Sequence, residues 1–364
     1  MAAGSVLVAT EQDSVYSFDA ANGRLRWHNK LATPVRGGAL PCGNIDPSGI
    51  TSTPVVDVAK GVVYAVAFES GIRHLLYALS LRSGRVLWSR DVDPPGVDPK
   101  VEQQRGALTL AGGKVYVPYG GLYGDCGDFH GVLTAVPTGN PAAAIASYEV
   151  PTGEAGIWAP SGAAVDRGGD IYIATGNGSS SSFDYGNAVI RLTPGLAQVG
   201  FFAPADAGAL NQSDLDLGST GPILLSHSRA FIIGKTGIGY LLSTDQLGGL
   251  GHPLASSQVC DRAFGGSAAA GSTVYVPCTD GLAAATVSGD TLSMDWRQAA
   301  ATQSPIAAGP GVWALGGDQL FQLDRASGRI AFSATVGAPA PFASPAAAGG
   351  RVFVAAADRI QAFS

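Results

Sequence analysis

Short apolar runs rich in Val and Tyr recur along the whole chain, and each lies next to a Gly-containing turn. Alternating or continuous apolar residues over about four to eight positions are typical of β-strands, and helical periodicity is weak throughout. Successive runs lie about forty to sixty residues apart, which is the spacing of the blades of a β-propeller. The eight runs are SVLVAT (5–10), VVYAVAF (62–68), KVYVPYG (114–120), DIYIATG (170–176), AFIIGK (230–235), TVYVPC (273–278), GVWALGG (311–317) and RVFVAAA (351–357).

Further strands accompany these runs. Seven of the eight apolar runs are preceded by a strand of small residues, such as SGAAVDR (161–167) and SPAAAG (344–349), and small side chains suit the crowded centre of a propeller. Each run is followed by a third strand, such as QLFQLDR near the C-terminus. A unit of this kind cannot bury its own faces, so the units must stack side by side. The pattern predicts one all-β domain over residues 1–364, an eight-bladed β-propeller of four-stranded antiparallel blades.

The two ends of the chain depart from the four-strand pattern. No small-residue strand precedes Ser5, and the chain stops at Ser364 directly after its third strand, RIQAFS. The sequence therefore predicts that the terminal blades are incomplete. Because open strand edges promote aggregation, we interpret Met1 as an internal start of a longer native chain with upstream strands and an export signal. A true start with an imperfectly closed ring is the alternative.

Four long polar loops interrupt the first five repeats. Long loops on a rigid all-β body commonly carry binding sites, and insertions at equivalent positions of stacked repeats fall on one face. That loop-rich face is the predicted site for a protein partner or a small-molecule ligand. The loops span residues 38–50, 119–131, 176–187 and 204–220.

Composition supports a turn-rich β-protein and excludes some partners. The 364 residues include 51 Gly, hydrophobic residues make up 46%, and charged residues only 14%. The formal net charge is −6 and no basic run exists, so nucleic acid is not an expected partner. No apolar stretch reaches the length of a membrane span, and the first residues lack the basic and apolar regions of a signal peptide.

One repeated segment carries a family resemblance. YALSLRSGRVLW, YSFDAANGRLRW and FQLDRASGRIAF each join an aliphatic strand, a Gly turn and an aromatic residue, and ATVSGDTLSMDW is a weaker copy. The chain resembles the PQQ-repeat, or quinoprotein-like, β-propeller family, and segments such as ATGNGSSSSFDYGN are similar to its bacterial PQQ-binding-like repeat proteins. The resemblance implies the propeller fold. It also implies two kinds of activity, because the family includes dehydrogenases that hold pyrroloquinoline quinone and calcium, and a cofactor-free lipoprotein of the outer-membrane β-barrel assembly machine.

Two family features are missing from the sequence. Methanol-type dehydrogenases of the family carry two adjacent cysteines over the quinone, whereas none of the four cysteines here are neighbours. The C-x-x-C-H haem site of the cytochrome-fused members is also missing. These departures lower the expectation of an enzyme.

Cys42, Cys126, Cys260 and Cys278 allow three disulfide pairings. A hairpin turn near Gly271 brings Cys260 close to Cys278, and Cys42 and Cys126 lie in long loops of adjacent repeats. We therefore expect the pairs Cys260–Cys278 and Cys42–Cys126. Zinc binding is the rival interpretation, but no C-x-x-C spacing or nearby His pair favours it. Disulfides imply an oxidising compartment, so the protein is predicted to be periplasmic or secreted.

Asp125, Asp128 and His130 in GDCGDFHG form the densest polar cluster of the sequence. Carboxylates in a Gly-rich loop can bind calcium, and a carboxylate or a His beside it can act as a general base. The alternative is structural, because Asp residues stabilise turns by bonding their own backbone.

Asn177, Asp184 and Asn187 form a second oxygen-rich loop, and Asp214 and Asp216 a third. Asp214 and Asp216 alternate across one residue, so they share a face if the segment is extended. Each loop is a candidate calcium site, with turn formation as the alternative.

Trp158 in GIWAPSG lies in the loop-rich region, just before an inner strand, where an indole could stack on a planar cofactor. Packing is the alternative interpretation, and it is the expected role of Trp27, Trp88 and Trp296, which share one repeat position. Lys235 in GKTGIGY follows a strand but lacks the phosphate-loop pattern, so no phosphate site is predicted.

The sequence leaves two functional classes open. The first is an extracytoplasmic, non-catalytic binding or scaffold propeller that presents its long loops to a partner or ligand. The second is an alcohol or sugar dehydrogenase that uses pyrroloquinoline quinone and calcium. In that case the candidate residues are Asp125 or Asp128 as the base, Trp158, His130 and Asn177 beside the quinone, and Asp184, Asp214 and Asp216 at the calcium ion.

Overall fold

The computed structural model describes residues 1–364, and β-strands dominate throughout. The chain forms eight antiparallel sheets in sequence order, which confirms the predicted eight-bladed β-propeller. The second to seventh sheets each contain the four strands of a complete blade, whereas the first and the last contain three. The terminal blades are therefore incomplete, as the strand pattern predicts. No helix is long and apolar enough to cross a membrane, and the α-helix Ala207–Gln212 has only 6 residues.

In each complete blade the chain runs from a short inner strand to an outer strand at the rim. The second and third strands between them are the most buried, because both of their faces are covered by neighbouring blades. Blade 1 holds β1 (Ser5–Thr10), β2 (Ser14–Asp19) and β3 (Leu25–Lys30); blade 2 holds β4 (Val55–Asp57), β5 (Val62–Glu69), β6 (Arg73–Ser80) and β7 (Val86–Asp91); blade 3 holds β8 (Glu102–Gln103), β9 (Thr109–Ala111), β10 (Lys114–Gly121), β11 (Val132–Pro137) and β12 (Ala146–Glu149); blade 4 holds β13 (Ala164–Val165), β14 (Ile171–Ala174), β15 (Val189–Leu192) and β16 (Gln198–Ala203).

Blade 4 differs from the others by one added strand at its rim. The two-residue strand β20 (Gly249–Leu250) pairs in parallel with β16. The helix α1 (Ala207–Gln212) and the 3-10 turns Gly37–Ala39 and Leu217–Ser219 lie between blades.

The remaining four blades follow in chain order. Blade 5 holds β17 (Ile223–Leu225), β18 (Arg229–Ile233), β19 (Ile238–Ser243) and β21 (Ala255–Gln258); blade 6 holds β22 (Ala268–Ala270), β23 (Thr273–Cys278), β24 (Gly281–Ser288) and β25 (Thr291–Gln298); blade 7 holds β26 (Ile306–Ala308), β27 (Gly311–Gly316), β28 (Gln319–Asp324) and β29 (Ile330–Thr335); blade 8 holds β30 (Ala346–Ala348), β31 (Arg351–Ala356) and β32 (Arg359–Phe363).

The hydrophobic core is divided into seven clusters, and each cluster fills the space between two neighbouring blades. Between blades 2 and 3, for example, Tyr64 and Leu76 pack against Val115, Val117 and Tyr119. Stacking of successive sheets thus buries the apolar faces that a single repeat leaves exposed, in agreement with the repeat pattern.

Two of the repeated tryptophans, Trp27 and Trp296, each pack against a turn of the next blade. The indole of Trp27 packs over Gly84, where a Cβ atom would lie 2.4 Å from the ring, and its Nε1 donates to the carbonyl of Leu81 at 3.0 Å. Trp296 packs in the same way over Gly328 of blade 7. Gly84 has φ +70°, so the turn requires glycine for its conformation as well as for this contact.

The seam between blades 8 and 1 is packed differently. No apolar cluster fills it; a gap of ≈ 1070 Å³ lies between β1, β2 and β32. The guanidinium of Arg351 bridges the seam by donating to the carbonyls of Ala20 at 2.7 Å and Ala21 at 2.8 Å. Ring closure here therefore depends on polar contacts more than on core packing.

Candidate functional site

The long loops of the early repeats meet on one face of the ring. Because strand direction alternates within a blade, the connections between blades and those between second and third strands emerge at the same face. All four long loops occupy such connections, and each lines a cleft of ≈ 730 Å³. Residues before the inner strands of several blades also reach the cleft, which places it over the ring axis. Its lining includes Asn44, Arg105, Asp125, Glu154, Trp158, Asn177, Asn211, Asp214, Asp216, Lys235, Phe264 and Phe342.

Small residues let the inner segments of several blades approach each other. A Cβ atom at Gly221 would lie 2.2 Å from Oγ of Ser161, and one at Gly266 would lie 3.3 Å from Cβ of Ser161. At Gly162 a Cβ atom would lie 2.2 Å from the carbonyl of Ala107. These inner segments therefore lie close together around the ring axis.

One wall of the cleft is a fully bonded charge network. Lys235 Nζ lies 2.6 Å from Asp214 Oδ1 and also pairs with Asp216. Asp216 accepts from the backbone N–H of Asn177 at 2.9 Å and from Trp158 Nε1 at 3.3 Å. Desolvation opposes the charged forms, but the mutual contacts prevail: they raise the pKa of Lys235 and lower the pKa of Asp214. This wall stays ionised, and its charges compensate one another.

Close backbone approach allows this wall to form. A Cβ atom at Gly176 would lie 2.4 Å from Asp216 Oδ1 and 2.9 Å from Trp158 Nε1. Behind the wall, the buried amide of Asn187 donates to Asn177 at 2.9 Å and accepts from the N–H of Leu217 at 2.6 Å. The 176–187 and 204–220 loops are therefore joined by side-chain amides, which fixes the position of the network.

Arg105 carries the unpaired positive charge of the cleft. Its guanidinium lies 4.6 Å from the ring centroid of Trp158 and 5.9 Å from that of Phe342. It makes no hydrogen bond or ion pair within the protein, and its Nε is buried without a partner. Burial lowers the pKa of Arg105, and Asp125 and Asp216 act in the opposite direction. The rings hold the guanidinium by cation–π contact and leave its hydrogen-bonding edge unsatisfied.

Asp125 and Glu154 face the cleft as carboxylates without any hydrogen-bond or ion-pair partner in the protein. Partial desolvation raises the pKa of Asp125, and Asp216 and Asp214 raise it further. Desolvation likewise raises the pKa of Glu154, with Asp125 as the next cause. Glu154 and the following Ala155 both have positive φ, 64° and 46°, which is an uncommon conformation for non-Gly residues.

The predicted site residues divide into two groups. Asp125, Trp158, Asn177, Asp214 and Asp216 all line the cleft, although they come from three separate loops and one inter-blade connection. The convergence of these positions is observed; the catalytic, cofactor and metal roles assigned to them stay predictions.

Asp128, His130 and Asp184 lie outside the cleft lining. The side chain of Asp128 is 94% exposed and lies 3.5 Å from His130, which also contacts Glu149 at 3.4 Å. Asp184 accepts hydrogen bonds from Thr152 at 2.9 Å and from two backbone N–H groups, so it braces its own loop. The geometry therefore gives these three residues no part in the cleft.

Both predicted disulfides, Cys42–Cys126 and Cys260–Cys278, are present. The first joins the 38–50 loop to the 119–131 loop and so holds two edges of the cleft together. The second closes a hairpin of blade 6. Asp280 lies close enough to the second pair to resemble a metal cluster, but the sulfur atoms are bonded to each other and supply no thiolate.

Sequence reasoning missed Arg105 and Glu154 and set Lys235 aside. Arg105 could have been found by aligning the repeats on their inner strands. At the position four residues before each inner strand, Arg105 is the one charged residue, and the other blades carry small, polar or aromatic residues there. The equivalent residues are Thr51, Arg105, Pro160, Ser219, Phe264, Thr302 and Phe342.

The fold and repeats define an eight-bladed β-propeller of the PQQ-like repeat class. The chain belongs to the family described as outer membrane protein assembly factor BamB, whose sequence pattern matches residues 1–205 and 283–364. No curated protein matches the sequence.

Several solved structures share the fold at low sequence identity. BamB from Moraxella catarrhalis is 14% identical, with 99% of this chain and 93% of that chain covered and a TM-score of 0.66. A europium-containing methanol dehydrogenase is 13% identical, with 97% and 81% covered and a TM-score of 0.71. The computationally designed Ika8 protein is 10% identical, with 100% and 94% covered and a TM-score of 0.64. At this identity the likeness shows the fold alone.

The cleft does not fit pyrroloquinoline quinone and calcium as partners of the residues predicted for them. A planar quinone needs an open aromatic face, but the guanidinium of Arg105 covers the Trp158 ring at 4.6 Å. Asp214 and Asp216 are already neutralised by Lys235, so a calcium ion would have to displace a bound ammonium group. Trp158, Asp214 and Asp216 are therefore already engaged within the protein, whereas Asp125, the predicted base, has no partner.

Proposed function

We propose that the protein is a non-catalytic, extracytoplasmic binding propeller that holds a ligand in the central cleft of its loop-rich face. The ligand is a small molecule or an extended group of a partner protein. The single observation that carries the proposal is the convergence of long loops from four separate chain regions on one cleft. The loops are also anchored in the cores between blades, for example through Ala207 and Leu217, so packed cores support the cleft.

The cleft has the features of a binding site more than those of an enzyme. Its volume of ≈ 730 Å³ falls within the range of small-molecule sites. Its walls are fixed by a disulfide and by amide hydrogen bonds, so a ligand would meet a preformed surface. Arg105 and Asp125 are unpaired, which leaves polar groups ready to bind.

The comparisons leave both functional classes open. The family is described as an outer membrane protein assembly factor, and one structure that shares the fold is a methanol dehydrogenase. The covered face of Trp158 and the Lys235 pairing argue against the dehydrogenase alternative here. The two disulfides support an oxidising compartment, and we propose a periplasmic or secreted location.

A thermal-shift screen of a metabolite library tests the binding function with a blocked cleft as the reference. Asn44 is exposed at the cleft and makes no side-chain hydrogen bond, so Asn44→Trp adds bulk without breaking a contact. Val58→Trp adds the same bulk at an exposed turn on the opposite face. A ligand at about 100 times its Kd stabilises by about 2.7 kcal/mol, which is about 3 °C in Tm for a chain of this size.

We expect compounds that raise the Tm of wild type and Val58→Trp but not of Asn44→Trp. A screen in which every stabilising compound acts equally on all three proteins would overturn the proposal. Incubation with pyrroloquinoline quinone and calcium, followed by absorption spectra and dye reduction with alcohols or sugars, tests the alternative. Quinone-dependent dye reduction would show that the propeller is catalytic.

A further inference from the structure

We propose that the central cleft recognises a zwitterionic ligand of amino-acid type, with its carboxylate on Arg105 and its ammonium group shared by Asp125 and Glu154. This inference rests on the proposed binding function and adds the chemical class of the ligand. It follows from three unpaired charged side chains, Arg105, Asp125 and Glu154, that line one cleft.

Arg105 is built to receive a planar anion. The Trp158 and Phe342 rings fix the plane of its guanidinium, at 4.6 and 5.9 Å from the two centroids. Its buried Nε has no acceptor, and a buried donor without a partner has lost its hydration without any compensating hydrogen bond. A carboxylate that bonds the guanidinium edge would compensate for that loss through two parallel charge-assisted hydrogen bonds.

The carboxylates across the cleft favour a cation. Asp125 and Glu154 lack hydrogen-bond and ion-pair partners in the protein, and repulsion from Asp125 contributes to raising the pKa of Glu154. An ammonium group between them would remove this repulsion and satisfy up to three donors. A ligand with only a carboxylate would leave Asp125 and Glu154 uncompensated.

The total charge of the lining excludes a dianion such as a phosphate monoester. Arg105 and Lys235 supply two positive charges, whereas Asp125, Glu154, Asp214 and Asp216 supply four negative charges. Lys235 is already paired with Asp214 and Asp216. A second negative charge on the ligand would meet a net negative surface, and a positive charge elsewhere on it is needed for balance.

The ligand series glycine, β-alanine, γ-aminobutyrate and ε-aminocaproate tests the inference, since it keeps both charges and varies only their separation. L-alanine and L-alanyl-L-alanine compare a free amino acid with a peptide source of the same chemistry. Propionate and n-propylamine each carry one charge. Binding to the whole purified protein is measured by isothermal titration calorimetry up to about 10 mM ligand.

We expect at least one zwitterion to bind about tenfold or more tightly than either single-charge analogue. Arg105→Gln should weaken that zwitterion about tenfold and leave propylamine unchanged, and Asp125→Asn should weaken it while leaving propionate unchanged. Arg167→Gln, at an exposed turn on the opposite face without a side-chain partner, is the charge-matched control and should bind as wild type does. Melting curves confirm that the variants are folded.

Equal binding of propionate, propylamine and the zwitterions would overturn the inference, and so would equal loss of all ligands in Arg105→Gln and Asp125→Asn. The wild-type series gives this answer even if a variant fails to fold. If no zwitterion binds but library compounds still lose their effect in Asn44→Trp, the ligand class is wrong and the binding function stands. If no zwitterion binds and no library compound loses its effect in Asn44→Trp, both proposals fail.

Discussion

Asp13 is a buried carboxyl group whose charge the fold does not compensate, and replacing it should stabilise the protein at neutral pH. It is 0% exposed, and both carboxylate oxygens lack a hydrogen-bond partner. Burial, followed by repulsion from Glu69 and Glu11, raises the pKa of Asp13 from its ordinary 3.8 to about 7, while Lys30 acts against the rise. The perturbation is Asp13→Asn, which removes the charge and keeps the shape.

The sign of the effect follows from the raised pKa. Below about pH 4 both the folded and unfolded forms of Asp13 are protonated, so its contribution to stability is complete there. As the pH rises toward 7, the unfolded chain loses the proton first and the folded state becomes progressively less favoured. With about 1.4 kcal/mol for each tenfold change in proton affinity, the full loss is about 4.4 kcal/mol, of which about 2.6 kcal/mol falls between pH 5 and pH 8.

Asparagine tolerates the backbone at this position, where φ is 52°, so the variant introduces no new strain. Asp13→Asn should therefore gain Tm over wild type between pH 5 and pH 8 by about 3 °C, measured by differential scanning calorimetry. Asp245→Asn, at an exposed position, is the control and should give a difference that does not change with pH. Parallel Tm curves for Asp13→Asn and wild type would refute the reasoning.

Three further predictions concern the cleft walls and the blade contacts. Gly176→Ala should cost about 1–3 kcal/mol in a thermal melt and weaken ligand binding, because its Cβ would press on the indole and carboxylate of the wall; Gly38→Ala, with open space around it, should be neutral. Replacing Cys42 and Cys126 by Ser, which opens a link across 84 residues, should cost about 2–4 kcal/mol and lower cleft affinity, whereas loss of the other disulfide should leave affinity unchanged in calorimetric titrations. Trp296→Ala should cost about 2–4 kcal/mol in urea unfolding, because it leaves a gap over the next blade.

The strand pattern was sufficient to predict the fold. Each repeat alternates or runs apolar over a strand length and stops at a turn, and the missing small-residue strand before Ser5 correctly predicts a three-stranded first blade. These signals are local, so they can be read from one chain. The conclusion that the long loops share a face also follows from strand alternation, which needs no knowledge of side chains.

Side-chain pairing within the cleft was not predictable in the same way. Lys235 stands alone in the sequence, and its partners Asp214 and Asp216 lie in the preceding connection, brought close by the turn of blade 5. Asp184 lies in an equally polar loop, yet its carboxylate is already bonded to two backbone N–H groups of that loop and to the hydroxyl of Thr152. Local composition does not distinguish a carboxylate that braces a turn from one that faces a cavity, because the difference arises from contacts between distant segments.

Uncommon backbone conformations are concentrated around the cleft. Fourteen non-Gly residues have positive φ, and half of them lie in loops around the cleft: Asp125, Glu154, Ala155, Tyr185, Asn187, Asp214 and Phe342. Asp and Asn adopt this region more readily, whereas for Glu154, Ala155, Tyr185 and Phe342 it costs about 1 kcal/mol or more each. Ala155 and Tyr185 also pack in the core between blades 3 and 4, so burial offsets their cost. Glu154 and Phe342 line the cleft itself, so a ligand bound there would contact backbone that is held away from its preferred conformation.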